Sequence, residues 1–127
     1  MTLRVRYAET DSMGIAHHSS YVVYLEEARS EYARQRGMPY SDFEAAGFFL
    51  AVTEVNIRYI KSAVYEQQIT IYVWIDELKS RGMTFNYEIV DTQTGELLVT
   101  ARTRHICITR DGKVARIPGE IRQKWLR

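Results

Sequence analysis

The first part of the chain changes from a strand pattern to a helix pattern. Leu3, Val5 and Tyr7 alternate with arginines, which predicts a short strand before a polar loop. From position 21 onward apolar residues recur at helical spacing until Gly37 and Pro39, so a long amphipathic helix is predicted here. Its apolar stripe consists of Tyr21, Leu25, Ala28 and Tyr32, broadened by Val22 and Tyr24.

The remainder of the chain predicts a short helix and then strands. Ser41–Glu44 has the spacing of a capping box for a helix that Gly47 ends. Alternating apolar and polar residues over 48–117 predict four or five antiparallel strands. Turns are indicated at Lys79–Gly82, Asp91–Gly95 and Asp111–Gly112, and a last short strand at Val114–Ile117. After Pro118 and Gly119, a C-terminal helix is predicted over Glu120–Leu126.

This order of elements indicates an α+β fold. It contains no βαβ alternation, so we expect an antiparallel sheet that curls around the long helix. Tyr72, Trp74 and Ile106 fall on the less apolar faces of their strands. Because such apolar surface is often covered by another subunit, we expect an oligomer.

Composition and charge narrow the class of protein. A chain of 127 residues, 46% hydrophobic and 26% charged, is typical of one globular domain, which we expect to span residues 1–127. A net charge of +1 gives no electrostatic reason to expect nucleic acid or an anionic membrane as partner. Cys107 is the only cysteine, and neither a signal-peptide pattern nor a membrane-spanning run is present. We expect a soluble, cytoplasmic protein.

Asp11 is the strongest candidate for chemistry. It lies in a polar loop with Gly14, shortly before the long helix, for which Ser19–Ser20 is the predicted capping pair. Backbone N–H groups at a helix start are unpaired and favour negative charge. A carboxylate there can attack a thioester or ester carbonyl, or activate water, while N–H groups near His18 hold the oxyanion. From spacing alone, a turn-forming role is the simpler explanation of Asp11, and its neighbourhood favours the catalytic one.

The adjacent His17 and His18 do not predict a metal site. Neighbouring side chains point in different directions, and His105 is the only other histidine. The sequence has no HxxxH, HxH or CxxC spacing, no GxSxG elbow, and no GxGxxG or P-loop for a nucleotide cofactor. We therefore expect no metal and no cofactor. One histidine orients Asp11 or lines a pocket, or both make only structural hydrogen bonds; the sequence leaves these alternatives open.

Two further residue pairs have simpler structural explanations. Glu26 and Arg29 are three residues apart on the predicted helix, which indicates an ion pair, with a pocket role for Glu26 as the alternative. His105 and Cys107 share one strand face, where a buried cysteine is a simpler explanation than a thiol nucleophile with its base.

Several short motifs recur together along the chain. They are Arg4-Val5, Thr10-Asp11, Gly14-Ile15 and His17, then His18, Tyr21 and Glu26-x-x-Arg29, and later Ile57-x-Tyr59 with Lys61 and Ala63. The first group resembles the active-site signature of the 4-hydroxybenzoyl-CoA thioesterase family. The continuation is most similar to its YbgC-like acyl-CoA thioesterase branch, and the resemblance covers nearly the whole chain.

The resemblance implies the hotdog fold, in which an antiparallel sheet wraps a long central helix. It also implies a thioester hydrolase that works as a homodimer or homotetramer and binds acyl-CoA at the subunit interface. Its catalytic carboxylate corresponds to Asp11 and its polarising backbone amide to His18. The residues expected to contact substrate are Gly14, His17 and Tyr21, with Arg58 and Lys61 as candidates for the CoA nucleotide.

Two positions depart from the family pattern. Ala16 stands where valine is usual, and His17 where tyrosine or phenylalanine is also common. The second change implies a more polar pocket and affects substrate preference rather than the reaction. Two alternatives to acyl-CoA hydrolysis are hydrolysis of acyl groups on acyl carrier protein, and a binding protein without catalysis. Intact Asp11 and Gly14 argue against the binding protein.

Overall fold

A computed structural model describes residues 1–126 and contains three α-helices and five strands within them. A single 3-10 turn over Tyr7–Glu9 follows the first strand. The strands are β1 (Thr2–Arg4), β2 (Phe48–Tyr59), β3 (Gln68–Leu78), β4 (Gly82–Asp91) and β5 (Leu97–Thr109). The helices are α1 (His18–Gln35), α2 (Tyr40–Ala45) and α3 (Gly119–Trp125). Across residues 1–126, no helix combines the length and the apolar character that a membrane span requires.

The five strands form one antiparallel sheet in the order β1-β3-β4-β5-β2. The consecutive strands β3, β4 and β5 are neighbours, whereas β2 crosses over to pair with β5 and becomes an edge strand. In the middle of the sheet Val73 lies opposite Tyr87, and Tyr87 opposite Ala101. The sheet curls around α1, which confirms the predicted α+β hotdog fold.

The core lies between α1 and the inner face of the sheet. Helical spacing along α1 and alternation along the strands place the buried side chains on these two facing surfaces. Those at 2% exposure or less include Tyr21, Tyr24, Leu25 and Ala28 from α1, and Ile69, Ile71, Phe85, Tyr87 and Ile89 from the sheet. At one end Trp125 of α3 is fully buried and stacks on Phe43 of α2.

Three predicted details around α1 are wrong, although the helix starts near His18 as predicted. Tyr7 belongs to the 3-10 turn and is 76% exposed, so the first strand is shorter than its alternation indicates. The helix begins at His18, before the first residue of the apolar stripe, and its N-cap is His17 without a side-chain hydrogen bond. Ser20 does not cap the helix, because its hydroxyl donates to the carbonyl of Glu9. Val22 is 42% exposed, so the buried stripe is narrower than predicted.

Two later predictions also need correction. The capping box at Ser41–Glu44 is absent, since α2 begins at Tyr40 with Pro39 as its N-cap and no side-chain capping bond. The segment Val114–Ile117 is not a strand, and its pairing is the single bridge from Val114 to Ile108. In contrast, Tyr72 and Trp74 are exposed on the outer face, as predicted.

Gly82 is required where β4 passes close to β5. A Cβ atom at this position would lie 2.7 Å from the backbone carbonyl oxygen of His105, and backbone cannot move aside as a flexible side chain can. We expect Gly82→Ala to reduce the free energy of unfolding by about 1–3 kcal/mol in urea denaturation. Gly119→Ala is the matched control, because its Cβ would meet no atom within 4 Å, and it should have little effect. Equal stabilities of the two variants would contradict this account.

Candidate active site

Asp11 is held in a tight loop before α1. Its Oδ1 accepts hydrogen bonds from the N–H groups of Met13 (2.8 Å) and Ile15 (3.4 Å), and the Gly14 N–H donates to its carbonyl (3.0 Å). Gly14 has a φ of +77°, which a side chain would disfavour. Within residues 1–126 no protein donor contacts Oδ2. The loop therefore fixes the carboxylate through one oxygen and leaves the other free.

The loop that carries Asp11 is anchored to the segment after β2. The Ala16 N–H donates to the Ala63 carbonyl (2.8 Å), and the Tyr65 N–H donates to the Gly14 carbonyl (2.9 Å). Ile15 also forms an isolated bridge with Val64. These bonds hold the loop on both sides of the tight turn, so the position of the carboxylate depends on a segment about fifty residues later in the chain.

The start of α1 presents unpaired N–H groups. The His17 N–H donates to the Glu9 carbonyl (2.8 Å), but in the described part of the chain neither the His18 nor the Ser19 N–H has an acceptor. The first N–H groups of a helix have no partner within the helix and carry the positive end of its dipole. Together with Asp11, this helix start can bind a polarised carbonyl oxygen beside a carboxylate.

An aromatic cluster lies beside this helix start. The Tyr59 ring, on edge strand β2, packs edge-to-face against both His18 (5.0 Å between centroids) and Tyr21 (5.1 Å). Tyr21 is 2% exposed, and its hydroxyl accepts the Ala63 N–H (3.0 Å). Tyr21 therefore forms part of the wall behind the site. Sequence reasoning did not predict that Tyr59 contacts His18 and Tyr21, because no local sequence pattern indicates that an edge strand packs against this helix start.

Glu9 also holds the start of α1 in place through hydrogen bonds, and sequence reasoning did not identify this role. Its carboxylate accepts the Arg6 N–H (2.8 Å), the Arg6 guanidinium and the Tyr24 hydroxyl (2.8 Å). Burial raises the pKa of Glu9, but the bonds from Arg6 and Tyr24 outweigh it and hold the pKa below its usual value. The Glu9 carbonyl accepts from both His17 and Ser20. The Arg6–Glu9 spacing was the only local signal, and it does not indicate the contact with Tyr24.

The other predicted site residues lie apart from the Asp11 loop or on the surface. His17 is exposed beside the helix start. Lys61 pairs with Glu96 (3.1 Å), and Arg58 lies on the outer face of β2 in a groove that also contains Trp74. Within residues 1–126 of one chain, neither basic side chain forms a bond to the Asp11 loop. Among residues 1–126, no three histidine, cysteine, aspartate or glutamate side chains are grouped as a metal site requires.

The predicted ion pair between Glu26 and Arg29 is wrong. Arg29 turns into the core at 8% exposure, and its guanidinium donates to the Tyr87 hydroxyl (3.1 Å) instead. Cys107 is fully buried, as expected, and burial raises the pKa of its thiol. Both properties disfavour a thiolate nucleophile at this position.

The buried imidazole of His105 links stability to pH. Burial, and next the charge of Arg29, lower the pKa of His105 to about 3. Between that value and about 6.5, the unfolded chain binds a proton at this residue and the folded chain does not, so stability falls as the pH falls. We expect the wild type to lose up to about 1.4 kcal/mol per pH unit in this window relative to His105→Gln, measured by urea denaturation.

His17→Gln is the matched control for this pH effect, because His17 is exposed. This variant should keep the wild-type slope of stability against pH. Identical slopes for the wild type and His105→Gln would show that the buried imidazole does not carry the effect.

Comparison with known proteins places the chain in a family. The sequence model described as the thioesterase-like superfamily matches residues 5–125. The chain belongs to this superfamily. Membership confirms the prediction of a thioester-hydrolysing enzyme, while the narrower placement beside 4-hydroxybenzoyl-CoA thioesterases stays a prediction.

Individual relatives agree with the superfamily. The chain is 35% identical over 109 residues to the Bacillus subtilis (strain 168) protein named "Putative acyl-CoA thioesterase YneP", covering 86% of this chain and 78% of that one. It is 31% identical over 98 residues to the acyl-CoA thioesterase YbgC of Helicobacter pylori (strain ATCC 700392 / 26695), covering 76% and 71%. The DHNA-CoA thioesterase structure from Staphylococcus aureus superimposes with a TM-score of 0.87 at 35% identity, covering 91% and 78%.

Proposed function

We propose that the protein hydrolyses acyl-CoA to free CoA and a carboxylic acid. The observation that carries this proposal is the Asp11 carboxylate, held through one oxygen in the loop that leads into α1, where within residues 1–126 the His18 N–H has no protein acceptor. The names of YneP and YbgC as acyl-CoA thioesterases support the same substrate class. A thiolate is a good leaving group, so the reaction needs no metal or cofactor.

The proposed mechanism places the thioester carbonyl between Asp11 and the start of α1. The His18 N–H donates to the carbonyl oxygen and stabilises the negative charge that develops there. In the general-base route, Asp11 takes a proton from water, the hydroxide attacks the carbonyl carbon, and the C–S bond breaks to release CoA thiolate. In the nucleophilic route, Asp11 itself attacks the carbonyl carbon, the C–S bond breaks to release CoA thiolate, and water then hydrolyses the resulting anhydride to the free acid and Asp11.

Single turnover in isotopically labelled water tests for the nucleophilic route. Attack by Asp11, followed by water attack on the aspartyl carbonyl, leaves one labelled oxygen in the Asp11 side chain. The general-base route never labels Asp11 and leaves the label in the released acid only, as does water attack on the acyl carbonyl of the anhydride. Label found by mass spectrometry in the peptide that contains Asp11 therefore demonstrates the nucleophilic route.

Substrate contacts are proposed at two places. Gly14, His17 and Tyr21 border the acyl end near Asp11, while Arg58 and Lys61 bind the phosphates of the CoA nucleotide. Replacing both basic residues by alanine should raise the KM for acyl-CoA and leave the KM for the matching acyl-pantetheine, which lacks the nucleotide, unchanged. An equal rise for both substrates would exclude the nucleotide role.

We propose that the protein assembles as a homodimer or homotetramer. Strand β2 is an edge strand, and it exposes Val52 and Val55 at 47% and 43%. The exposed Val23 of α1 and Trp74 of the outer sheet face add apolar surface of the kind that a second copy covers. Analytical ultracentrifugation tests this proposal, and a monomer at micromolar concentration would contradict it.

The reaction is tested by thiol release from a panel of acyl-CoAs that differ in chain length and aromatic character. We expect release from at least one member, and the pattern of rates names the acyl class. A matched acyl group on acyl carrier protein is the second substrate in each assay. If thiol were released only from the acyl carrier protein, the proposed substrate would be the acylated carrier protein instead of acyl-CoA. If the protein bound both substrates without releasing thiol from either, the results would favour a non-catalytic binding protein.

A further inference from the structure

Glu9 contacts α1 at three points, although it precedes the loop that carries Asp11. Its backbone carbonyl accepts the His17 N–H (2.8 Å) and the Ser20 hydroxyl (3.0 Å), at the N-cap and in the first turn of the helix. Its carboxylate Oε1 accepts the Tyr24 hydroxyl (2.8 Å), one turn further along the helix. One residue therefore holds the first two turns of α1 through both its main chain and its side chain.

Glu9 also closes the base of the Asp11 loop. The two arms of residues 9–17 are joined by backbone hydrogen bonds and by an isolated bridge, and the bond from the His17 N–H to the Glu9 carbonyl is at the base. Asp11 lies two residues beyond Glu9. The His18 N–H, which has no acceptor within residues 1–126, lies one residue beyond His17. The carboxylate and the amide of the candidate site are therefore both positioned relative to one bond.

The Glu9 carboxylate is fixed from the other side by Arg6. The Arg6 N–H donates to Oε1 (2.8 Å) and the guanidinium Nε–H donates to Oε2 (2.9 Å). The Glu9 side chain is 12% exposed, and these bonds help to hold its pKa below the usual value despite burial. Burial, and next the bond to Glu9, raise the pKa of Tyr24, so its hydroxyl keeps the proton that it donates. The carboxylate is thus a fixed acceptor between the 3-10 turn and α1.

The geometry that Glu9 fixes matters for a reaction more than for stability. Arg6 is 74% exposed, so its ion pair with Glu9 contributes little to the free energy of unfolding. A donor that stabilises an oxyanion must be fixed where the charge develops, and a displacement of about 1 Å can lower a rate about 10²-fold. The bond between Glu9 and Tyr24 joins the loop side of the candidate site to the helix side, and so limits their relative movement.

We propose that Glu9 is a positioning residue for the hydrolysis, which holds the Asp11 carboxylate and the His18 N–H at a fixed separation. It acts through its carbonyl on His17 and through its carboxylate on Tyr24, without contact to the thioester. This role rests on the proposed thioesterase function. The charge on the thioester oxygen develops only towards the transition state, so loss of the correct separation lowers kcat rather than raising KM.

Glu9→Ala should lower kcat for acyl-CoA hydrolysis by about 10–100-fold and change KM by less than about two-fold. Urea denaturation gives the folded fraction of each variant, and kcat is expressed per folded molecule so that loss of folded enzyme is not counted. Glu31→Ala is the matched control. Glu31 pairs with Arg34 (2.8 Å) at the same three-residue spacing but further along α1, and its loss should leave kcat unchanged.

Two further variants separate positioning from a purely structural role. Glu9→Gln keeps an oxygen that can accept from the Arg6 N–H and the Tyr24 hydroxyl and loses only the ion pair, so its kcat should be within about three-fold of the wild type. Tyr24→Phe removes the other partner of the same bond and should lower kcat at unchanged KM. The double variant Glu9→Ala/Tyr24→Phe should be no slower than Glu9→Ala, because the same bond is lost in both.

Amide hydrogen exchange tests the anchoring without turnover. The His17 N–H is bound to the Glu9 carbonyl, so its exchange should be about ten-fold faster in Glu9→Ala and unchanged in Glu31→Ala. With an active wild type, wild-type kcat in Glu9→Ala, a low kcat in Glu9→Gln or unchanged exchange at His17 would overturn the positioning role alone. Absence of thiol release from the wild type would overturn the proposed function and this role with it, so the two failures are distinguishable.

Discussion

Asp11→Asn should lower kcat for acyl-CoA hydrolysis by about 10³-fold. The amide can neither accept a proton from water nor attack the thioester carbonyl. The amide oxygen still accepts the N–H groups of Met13 and Ile15, so the loop should keep its geometry. The measurement is thiol release under saturating substrate, with circular dichroism and KM as checks that fold and binding are retained.

Asp76→Asn is the matched control for the loss of one carboxylate. Asp76 is exposed on β3, and within the described chain its side chain has no hydrogen bond or ion pair. We expect wild-type kcat from this variant. If Asp11→Asn retained more than about a tenth of the wild-type rate, Asp11 would not perform the proton transfer or the attack.

Trp125→Ala should reduce the free energy of unfolding by about 4 kcal/mol. Trp125 is fully buried at the C-terminal end of the core, and its indole N–H donates to the Met38 carbonyl (3.2 Å). Its ring stacks on Phe43, and its own carbonyl accepts the Tyr32 hydroxyl (2.7 Å). Truncation leaves a large cavity and an unpaired carbonyl at Met38. Urea denaturation monitored by circular dichroism measures the change.

The neighbouring Leu126 supplies a control with the same type of truncation. It is 60% exposed, so Leu126→Ala should change stability by less than about 0.5 kcal/mol. Trp125→Phe keeps most of the ring and loses the indole donor, and we expect an intermediate effect. Similar stabilities for Trp125→Ala and Leu126→Ala would show that α3 does not contribute to the cooperative core.

The element order was predictable because local periodicity carries it. Leu25 and Ala28 are buried on α1 as their spacing predicts, and Ile69 and Ile71 are buried on β3 as their alternation predicts. The boundaries were less predictable. His18 begins α1 before any apolar residue marks it, and Ser20 bonds to Glu9 instead of capping the helix. Periodicity describes the middle of an element, whereas its ends depend on contacts with other segments.

Part of the candidate site was also predictable from the amino-acid sequence. Asp11 and Gly14 are close in sequence, and the bonds that the Asp11 carboxylate and carbonyl accept come from residues at most four positions away. The approaching helix start follows within the same stretch. The carboxylate, the left-handed glycine and the free N–H of His18 are therefore properties of one local segment, and local sequence is enough to predict them together.

The amino-acid sequence by itself determined the α+β order, the two buried faces and the turn at Asp11, because each depends on neighbours within a few positions, whereas the anchoring of that turn to residues 63–65 depends on the tertiary structure. Only the tertiary structure decided which distant residues meet. Strand order β1-β3-β4-β5-β2 brings Tyr59 to His18, and the curled sheet brings Arg29 to Tyr87. A pattern of apolar and polar positions specifies which face is buried but not which side chain lies opposite. That choice is made by strand pairing and packing, since many pairings satisfy the same pattern.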